Sequence, residues 1–512
     1  MPRGPRGVDL PFLIRRAAGC YGDEVAADDG AQAVTVRTAV ARAERVANAL
    51  DEIGVPAGAC VGVLSENRSA YVEADLAIAL ARRVRVALNA RLHLEDHRYV
   101  VADCGMSVLI HSARYAAEAE ALRAEFGLRT VSLDDGDAPG GARFEDLVEQ
   151  GSPHPVLRSG SPEDPAWITY TSGTTGRPKG IVLSHRSIRE VALNLLLEFG
   201  PVEPGELLVL PQPLSHGAGY WVLPYLISGA GVYVMRKFDP DETCAVSQRP
   251  NVRTLKCVPA MLPPLIEAPG LCGYNTIIYG ASPIPQPVLT ASLERFGPVL
   301  VQVYGQSEAP VTITCLQKGD HLGDGDQRFS AGRAFRAVGV EVRDEEGLPV
   351  PPGTEGEVAV TGSHLMNGYL GMEEETAFLF RDGWILTRDM GMFDERGFLR
   401  LLGRRDEMII SGGYNISPRE VENVLSQFPG VEEVAVVGIP DKRWGSAVGA
   451  AVKMVAEVPA TAEELIDFAR PRLSFRAPKH VAFVESIPKT PYGKVDRPKL
   501  LEAIGTPVEA TS

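Results

Sequence analysis

Short β-branched runs alternate with helical runs along most of this chain, and that alternation restricts its fold more than any other feature. "CVGVLSEN" (60–67), "MSVLIHS" (106–112) and "RTVSLDD" (129–135) have the length and composition of buried strands. Between and before them, "VRTAVARAERVANALDEI" (36–53) and "YAAEAEALRAEF" (115–126) carry apolar residues at helical spacing. The pattern continues with a helix over 186–199, strands at 207–210, 231–235, 277–282 and 299–305, and a helix over 286–296. Strands linked through helices form parallel sheets covered by helices, so the fold class is α/β. After about residue 335 the pattern changes. "VGVEVRDEEGLPVPPGTEGEVAVTG" (338–362) reads as short strands joined by Gly/Pro turns, a small antiparallel or barrel-like piece. Past residue 405 comes a compact α+β pattern: helix 417–427, strands 431–438 and 447–455, helix 461–470 and strand 480–484. The charged run "GRRDE" (403–407) separates two apolar stretches. The expected organisation is a large N-terminal domain over 1–404, a hinge at 405–407 and a small, mobile C-terminal α+β domain over 408–512.

With 512 residues the chain is too long for one ordinary core, in agreement with that division. A net charge of −15 weighs against nucleic acid and anionic membranes as partners, though not against a small anion held by local cations. Seven cysteines are scattered with no C-x-x-C pair, which predicts reduced, mostly buried thiols. Basic residues interrupt the apolar run of "MPRGPRGVDLPFLIRRAAGC" (1–20), and no window has the apolar length of a membrane span. A cytoplasmic location and no membrane partner are expected. A homodimer is open.

The densest chemistry sits in "YTSGTTGRPKG" (170–180). Thr171, Ser172, Thr174 and Thr175 are rotatable donors, Gly173, Gly176 and Gly180 permit close backbone approach, and Lys179 adds a point charge. Such a turn, expected here between a strand and a helix, aims N–H and O–H groups at a phosphate chain. A flexible surface loop uses the same residue types. The spacing is not that of a Walker A loop.

This string resembles the phosphate-loop signature of the adenylate-forming superfamily, which holds acyl- and aryl-CoA synthetases, adenylation domains and luciferases. Further motifs similar to that family's follow in order: "PLSHGAGYW" (213–221), "YGASPI" (279–284), "QVYGQSEAP" (302–310), "GWILTRDMG" (383–391), "GRRDEMIISGGYNISPREVE" (403–422) and "PKTPYGKVDR" (488–497). The resemblance implies a two-step reaction. A carboxylate attacks the α-phosphate of ATP to give an acyl-adenylate, and a thiol, usually of coenzyme A, then displaces AMP. By the same resemblance Glu308 is the Mg²⁺-associated carboxylate, and Ser307 supplies a hydroxyl to the α-phosphate. Tyr304 lies against adenine, with Gly280, Ala281, Ser282, Gln302 and Gly305 completing the nucleotide pocket. Asp389 and Arg404 hold the ribose, and Lys494 bridges carboxylate and α-phosphate during adenylation. His216 positions the acid and gates the thiol tunnel; Gly217, Ala218, Gly280 and Val303 wall the acid pocket. Asp406 is the hinge about which the small domain turns to bring Gly413 inward for thioester formation.

Trp444 and Phe475 match aromatic positions that sandwich the CoA adenine in similar ligases, with Arg476 and Lys479 near enough in sequence to meet phosphates; the other reading places both rings in the small domain's core. A cation found in some relatives is replaced by Ala477. One departure concerns "TRD", where Arg388 replaces the family's glycine. Pointing outward it is harmless; pointing inward it crowds ATP, leaving an enzyme that converts a supplied acyl-adenylate to a thioester. An adenylation enzyme that loads a carrier protein, and a non-catalytic nucleotide sensor, are further alternatives. The expectation is an AMP-forming acid–thiol ligase, an acyl- or aryl-CoA synthetase using ATP, Mg²⁺ and coenzyme A, with the acid unspecified.

Overall fold

The computed structural model describes residues 8–134, 136, 140–171, 178–270, 272–323, 325–412, 414–441, 443–455, 458, 460–489 and 495–505. Ser172, Gly173, Thr174, Thr175, Gly413 and Lys494 lie outside the described residues. Two mixed sheets dominate the large domain, one of nine strands and one of eight. In the first, strands Val25–Asp28, Gly231–Val234, Leu207–Leu210, Val252–Cys257, Thr276–Gly280 and Leu300–Gln306 run parallel side by side, with antiparallel strands at both edges. In the second, Ala142–Arg143, Arg129–Ser132, Val108–His111, Cys60–Leu64, Val84–Ala87 and Pro165–Thr171 form the parallel part. Of the helices that link the strands, Val36–Glu52, Ala116–Phe126, His185–Phe199 and Gln286–Phe296 are predicted ones, whereas Ser69–Leu80 and Leu94–Cys104 were not singled out in the sequence. Helix Val36–Glu52 is capped by the Thr35 side chain and buries Ala39, Val40, Ala43, Val46, Ala47 and Leu50, an i, i+3, i+4 stripe that belongs in a core. One continuous core joins residues from both sheets, including Val61, Ile110, Leu208, Ile278 and Trp221.

Two expectations are corrected. The Ser/Thr/Gly turn does not run into a helix. Strands Pro165–Thr171 and Lys179–Ser184 pair antiparallel with Thr171 opposite Lys179, so the turn closes a hairpin, and helix His185–Phe199 begins after it. The short run "IVLS" (181–184) carried too little periodicity to be recognised as a strand. Cys244 and Cys272 are joined in a disulfide, contrary to the reading of reduced thiols. Their Cα atoms meet at 4.5 Å across a separation of 28 residues, a proximity that sequence spacing does not reveal. Of the free thiols, Cys60, Cys257 and Cys315 are buried and Cys20 is exposed.

The barrel-like piece is a five-stranded antiparallel sheet containing Gly339–Arg343, Gly356–Thr361, Trp384–Phe393 and Leu399–Arg404. The C-terminal part has its own core, built from helix Pro418–Leu425, strands Val431–Asp441 and Gly445–Met454, helix Ala462–Leu473 and strand His480–Phe483. Among the described residues no helix is long and apolar enough to cross a membrane.

Candidate active site

The C-terminal ends of parallel strands carry Gly280, Ala281 and Tyr304, as open α/β sheets dictate, while Asp389 and Arg404 come from the antiparallel sheet. Gly280 ends strand Thr276–Gly280, and a Cβ there would collide with the carbonyl oxygen of Val303 on the next strand, so only glycine fits. Ala281 follows with φ +71°, a left-handed conformation unfavourable for a residue with a side chain. Tyr304, on strand Leu300–Gln306, donates its hydroxyl to Asp389. The other Asp389 oxygen meets Arg404 Nε at 2.8 Å, and Asp389 and Arg404 face each other across two antiparallel strands. Asp389 is 9% exposed; burial raises its carboxyl pKa, and the Arg404 charge opposes that rise. Burial pushes the Tyr304 phenol up, and the adjacent carboxylate adds to the shift. The three expected nucleotide residues thus form one hydrogen-bonded cluster. The Gln302 side-chain oxygen accepts from the Tyr279 hydroxyl at 3.0 Å.

Ser307 and Glu308 lie at the turn between strands Leu300–Gln306 and Ala309–Leu316. Tyr369, which the sequence did not single out, ties Glu308 to the hairpin of the Ser/Thr/Gly turn. Its hydroxyl donates to Glu308 Oε1 at 2.8 Å, and Lys179 Nζ sits 5.1 Å from its ring centroid. The strand Gly368–Tyr369 pairs with Lys179–Ser184, which holds that ring in place.

Arg388 pairs with Asp406 and at the same time lines a small pocket with Lys179 and Tyr369. Its Nη2 reaches the two Asp406 oxygens at 2.7 and 2.6 Å, while its backbone, at φ +60°, donates N–H to the buried Glu357 at 2.8 Å. Every residue of the segment 404–407 is ion-paired: Arg404 with Asp389, Arg405 with Glu357, Asp406 with Arg388 and Glu407 with Arg497. The first three partners belong to the large domain and the last to the C-terminal part. Two further contacts cross between them: Ser417 donates to the Leu402 carbonyl, and Gln427 to Gln286 at 3.0 Å.

The acid-pocket segment is pinned from the eight-stranded sheet's side. Asn67 accepts from Leu214 N–H at 2.8 Å and donates to the Gln212 carbonyl at 2.7 Å; the buried Arg85 donates to the Leu214 carbonyl at 2.9 Å. These anchors hold a turn that exposes His216 and Gly217 and buries Ala218 and Gly219. His216 presents an accessible edge yet is ringed by protein atoms, as befits a concave wall. That surrounding, with the charges of Arg91 and Arg85, lowers its pKa, so the imidazole is neutral and its Nδ1 pairs with Ser215 Oγ at 2.8 Å.

In the C-terminal part Trp444 and Phe475 are 43% and 51% exposed, which removes the reading that they are core residues. They do not face each other as a simple clamp. Phe475 packs on Tyr414 with centroids 4.9 Å apart, whereas Trp444 lies over Gly412, where a Cβ would come within 2.7 Å of its ring. Arg476 is bound through Nη1 to both oxygens of Glu420, at 2.6 and 2.8 Å, rather than left free for a phosphate.

The family signature described as AMP-binding enzyme matches residues 14–370, and that of the AMP-binding enzyme C-terminal domain matches 420–494. The chain belongs to the AMP-binding enzymes, the adenylate-forming superfamily. It is 36% identical to the medium/long-chain-fatty-acid–CoA ligase FadD8 of Mycobacterium tuberculosis, over 89% of this chain and 83% of that protein. It is 36% identical to a feruloyl-CoA synthase of Amycolatopsis sp, over 91% and 93%. Among solved structures, ATP-bound MatB from Rhodopseudomonas palustris superposes with a TM-score of 0.87 at 28% identity, covering 97% of this chain and 99% of that one.

Proposed function

We propose that this protein is an acyl- or aryl-CoA synthetase, an AMP-forming acid–thiol ligase that activates a carboxylic acid with ATP and passes the acyl group to coenzyme A. The observation that carries this reading is the Tyr304–Asp389–Arg404 cluster beside Glu308 at the strand ends. A carboxylate whose charge is held by one guanidinium keeps lone pairs for sugar hydroxyls, and the Tyr304 ring offers a flat apolar face to a purine. Oxide is a poor leaving group from a carboxylate, and AMP is a far better one; the chain's task is to position the acid and spread the charge that develops at phosphorus. Lys179, Lys494 and the hydroxyls of Thr171, Ser172, Thr174, Thr175 and Ser307 are the donors for that charge. Among the described residues Glu308 has one oxygen engaged, by Tyr369. A single carboxylate suits Mg²⁺, which takes its remaining ligands from phosphates and water and neutralises phosphate charge when bound. Neutral His216 sits where it can orient the acid without competing with Lys494 for its carboxylate. The domain boundary is placed at 405–407 with Asp406 as hinge, Gly413 as the thiol-tunnel glycine, and Trp444 and Phe475 as contacts for the CoA nucleotide.

The test is acid-dependent AMP and thioester formation with ATP, Mg²⁺ and coenzyme A across aromatic, alicyclic and fatty acids, with synthetic acyl-adenylates run in parallel. Turnover of acids together with pyrophosphate exchange is expected. Turnover of acyl-adenylates alone, with no exchange for any acid, would replace this reading with thioester formation from a supplied adenylate.

A further inference from the structure

Among the described residues, one buried cation on the acid-pocket side of the nine-stranded sheet has no counter-charge. Lys256 lies on strand Val252–Cys257 and is 4% exposed. It stands opposite Ile278 in parallel register, so its side chain leaves the same face as Ile278 and, one pleat further along, Gly280. That face is the one the 213–221 segment covers, because Ile278 shares a core with Leu214, Ala218, Trp221 and Val303. Among the described residues the Lys256 ammonium has one partner, the Cys257 carbonyl at 2.9 Å, at the ligand-binding end of the strand, and no ion pair. An ammonium has three N–H groups to satisfy. Burial draws its pKa down to about 8, with no carboxylate to oppose the shift.

An unpaired charge in such surroundings is costly, and a methionine of similar length would fill the space without that cost. We propose that Lys256 determines specificity, and that the acid activated here carries a second anionic oxygen, a carboxylate or a phenolate, seated against the Lys256 ammonium. The inference rests on the acid–thiol ligase reading. Lys256 is two residues down the strand face from the level of Gly280, roughly 7 Å, so the second oxygen lies several bonds from the reacting carboxyl.

The experiment measures acid-dependent pyrophosphate release with a dicarboxylic acid series, a hydroxyaryl acid series and length-matched apolar monocarboxylic acids. Wild type, Lys256→Met and Lys256→Arg are compared, each with its melting temperature. Wild type should prefer one anionic-oxygen series, which identifies the source of the oxygen. Lys256→Met should lower the kcat/KM ratio of that series to the apolar acids by about 10- to 100-fold, mainly through KM, and Lys256→Arg should recover part of it. An unchanged ratio, or an equal fall for all acids together with a lower melting temperature, would make Lys256 structural and overturn the inference. Wild type that prefers the apolar acids to both anionic-oxygen series would leave the ligase reading intact and remove this one. No activation of any acid by wild type would remove both.

Discussion

The Arg388–Asp406 contact joins the large domain to the proposed hinge, and its worth can be bounded before it is measured. Both side chains are about two-fifths exposed, at 38% and 41%, so the bidentate pair is worth about 0.2–1 kcal/mol. Arg388 is also held at φ +60°, where a residue with a Cβ costs roughly 1 kcal/mol relative to glycine. Arg388→Ala loses the pair and keeps the backbone cost, whereas Arg388→Gly loses both. The glycine variant should therefore melt above the alanine variant, by about 1 kcal/mol of stability, and close to wild type. If the pair favours one arrangement of the hinge, breaking it redistributes the two poses by the same free energy, about 1.5- to 5-fold. The assay is the ratio of pyrophosphate exchange to thioester formation from synthetic acyl-adenylate, in Arg388→Ala, Asp406→Ala and the double variant. All three should shift the ratio in one direction by similar factors, since each removes the same interaction. Raising salt should move wild type toward the variants, because an exposed pair is screened. Independent, additive effects of the two single variants, or an Arg388→Gly protein that melts below Arg388→Ala, would refute the reasoning.

Asp389→Asn leaves the Arg404 guanidinium without its counter-charge and should raise the KM for ATP by about 10- to 100-fold, measured by pyrophosphate exchange at saturating acid. Trp444→Ala should change stability by no more than about 0.5 kcal/mol, since the ring is 43% exposed, yet raise the KM for coenzyme A at least several-fold; an unchanged KM would point to another thiol. His185 and His364 are buried, and burial lowers both to about 4, so each stays neutral in the native state while the unfolded chain protonates below about 6.5. Their contribution is complete above that value and lost as pH falls toward 4, with a slope of at most about 1.4 kcal/mol per pH unit for each. Melting curves between pH 7 and 5 should show this slope, and His364→Gln should flatten it.

Most of the fold was legible because each buried parallel strand and each amphipathic helix announces itself over five or more residues. The helix at 286–296 and the strand at 207–210 were located to the residue. What failed to show were features decided by distant partners. The strand Lys179–Ser184 is made by pairing with Pro165–Thr171 on one side and Gly368–Tyr369 on the other, and the Cys244–Cys272 bond by the packing of two segments 28 residues apart. Neither leaves a local periodicity.

The site divides along the same line. Tyr304, Asp389 and Arg404 sit in motif frames and converge, so their grouping was readable from the order of the motifs. The residues that adjust the site to this chain lie outside those frames or depart from them. Tyr369 reads as an ordinary strand tyrosine until its hydroxyl is seen on Glu308. Arg388 reads either as harmless or as an obstruction until its guanidinium is seen on Asp406. Lys256, in "VRTLKC" (252–257), carries no signal in the sequence, because only the sheet order shows that both faces of its strand are covered. Partners brought by the fold turn these side chains into chemistry, and those partners depend on register between strands far apart in sequence. Motifs therefore define the reaction, while selectivity and domain coupling reside in residues whose partners only the folded chain supplies.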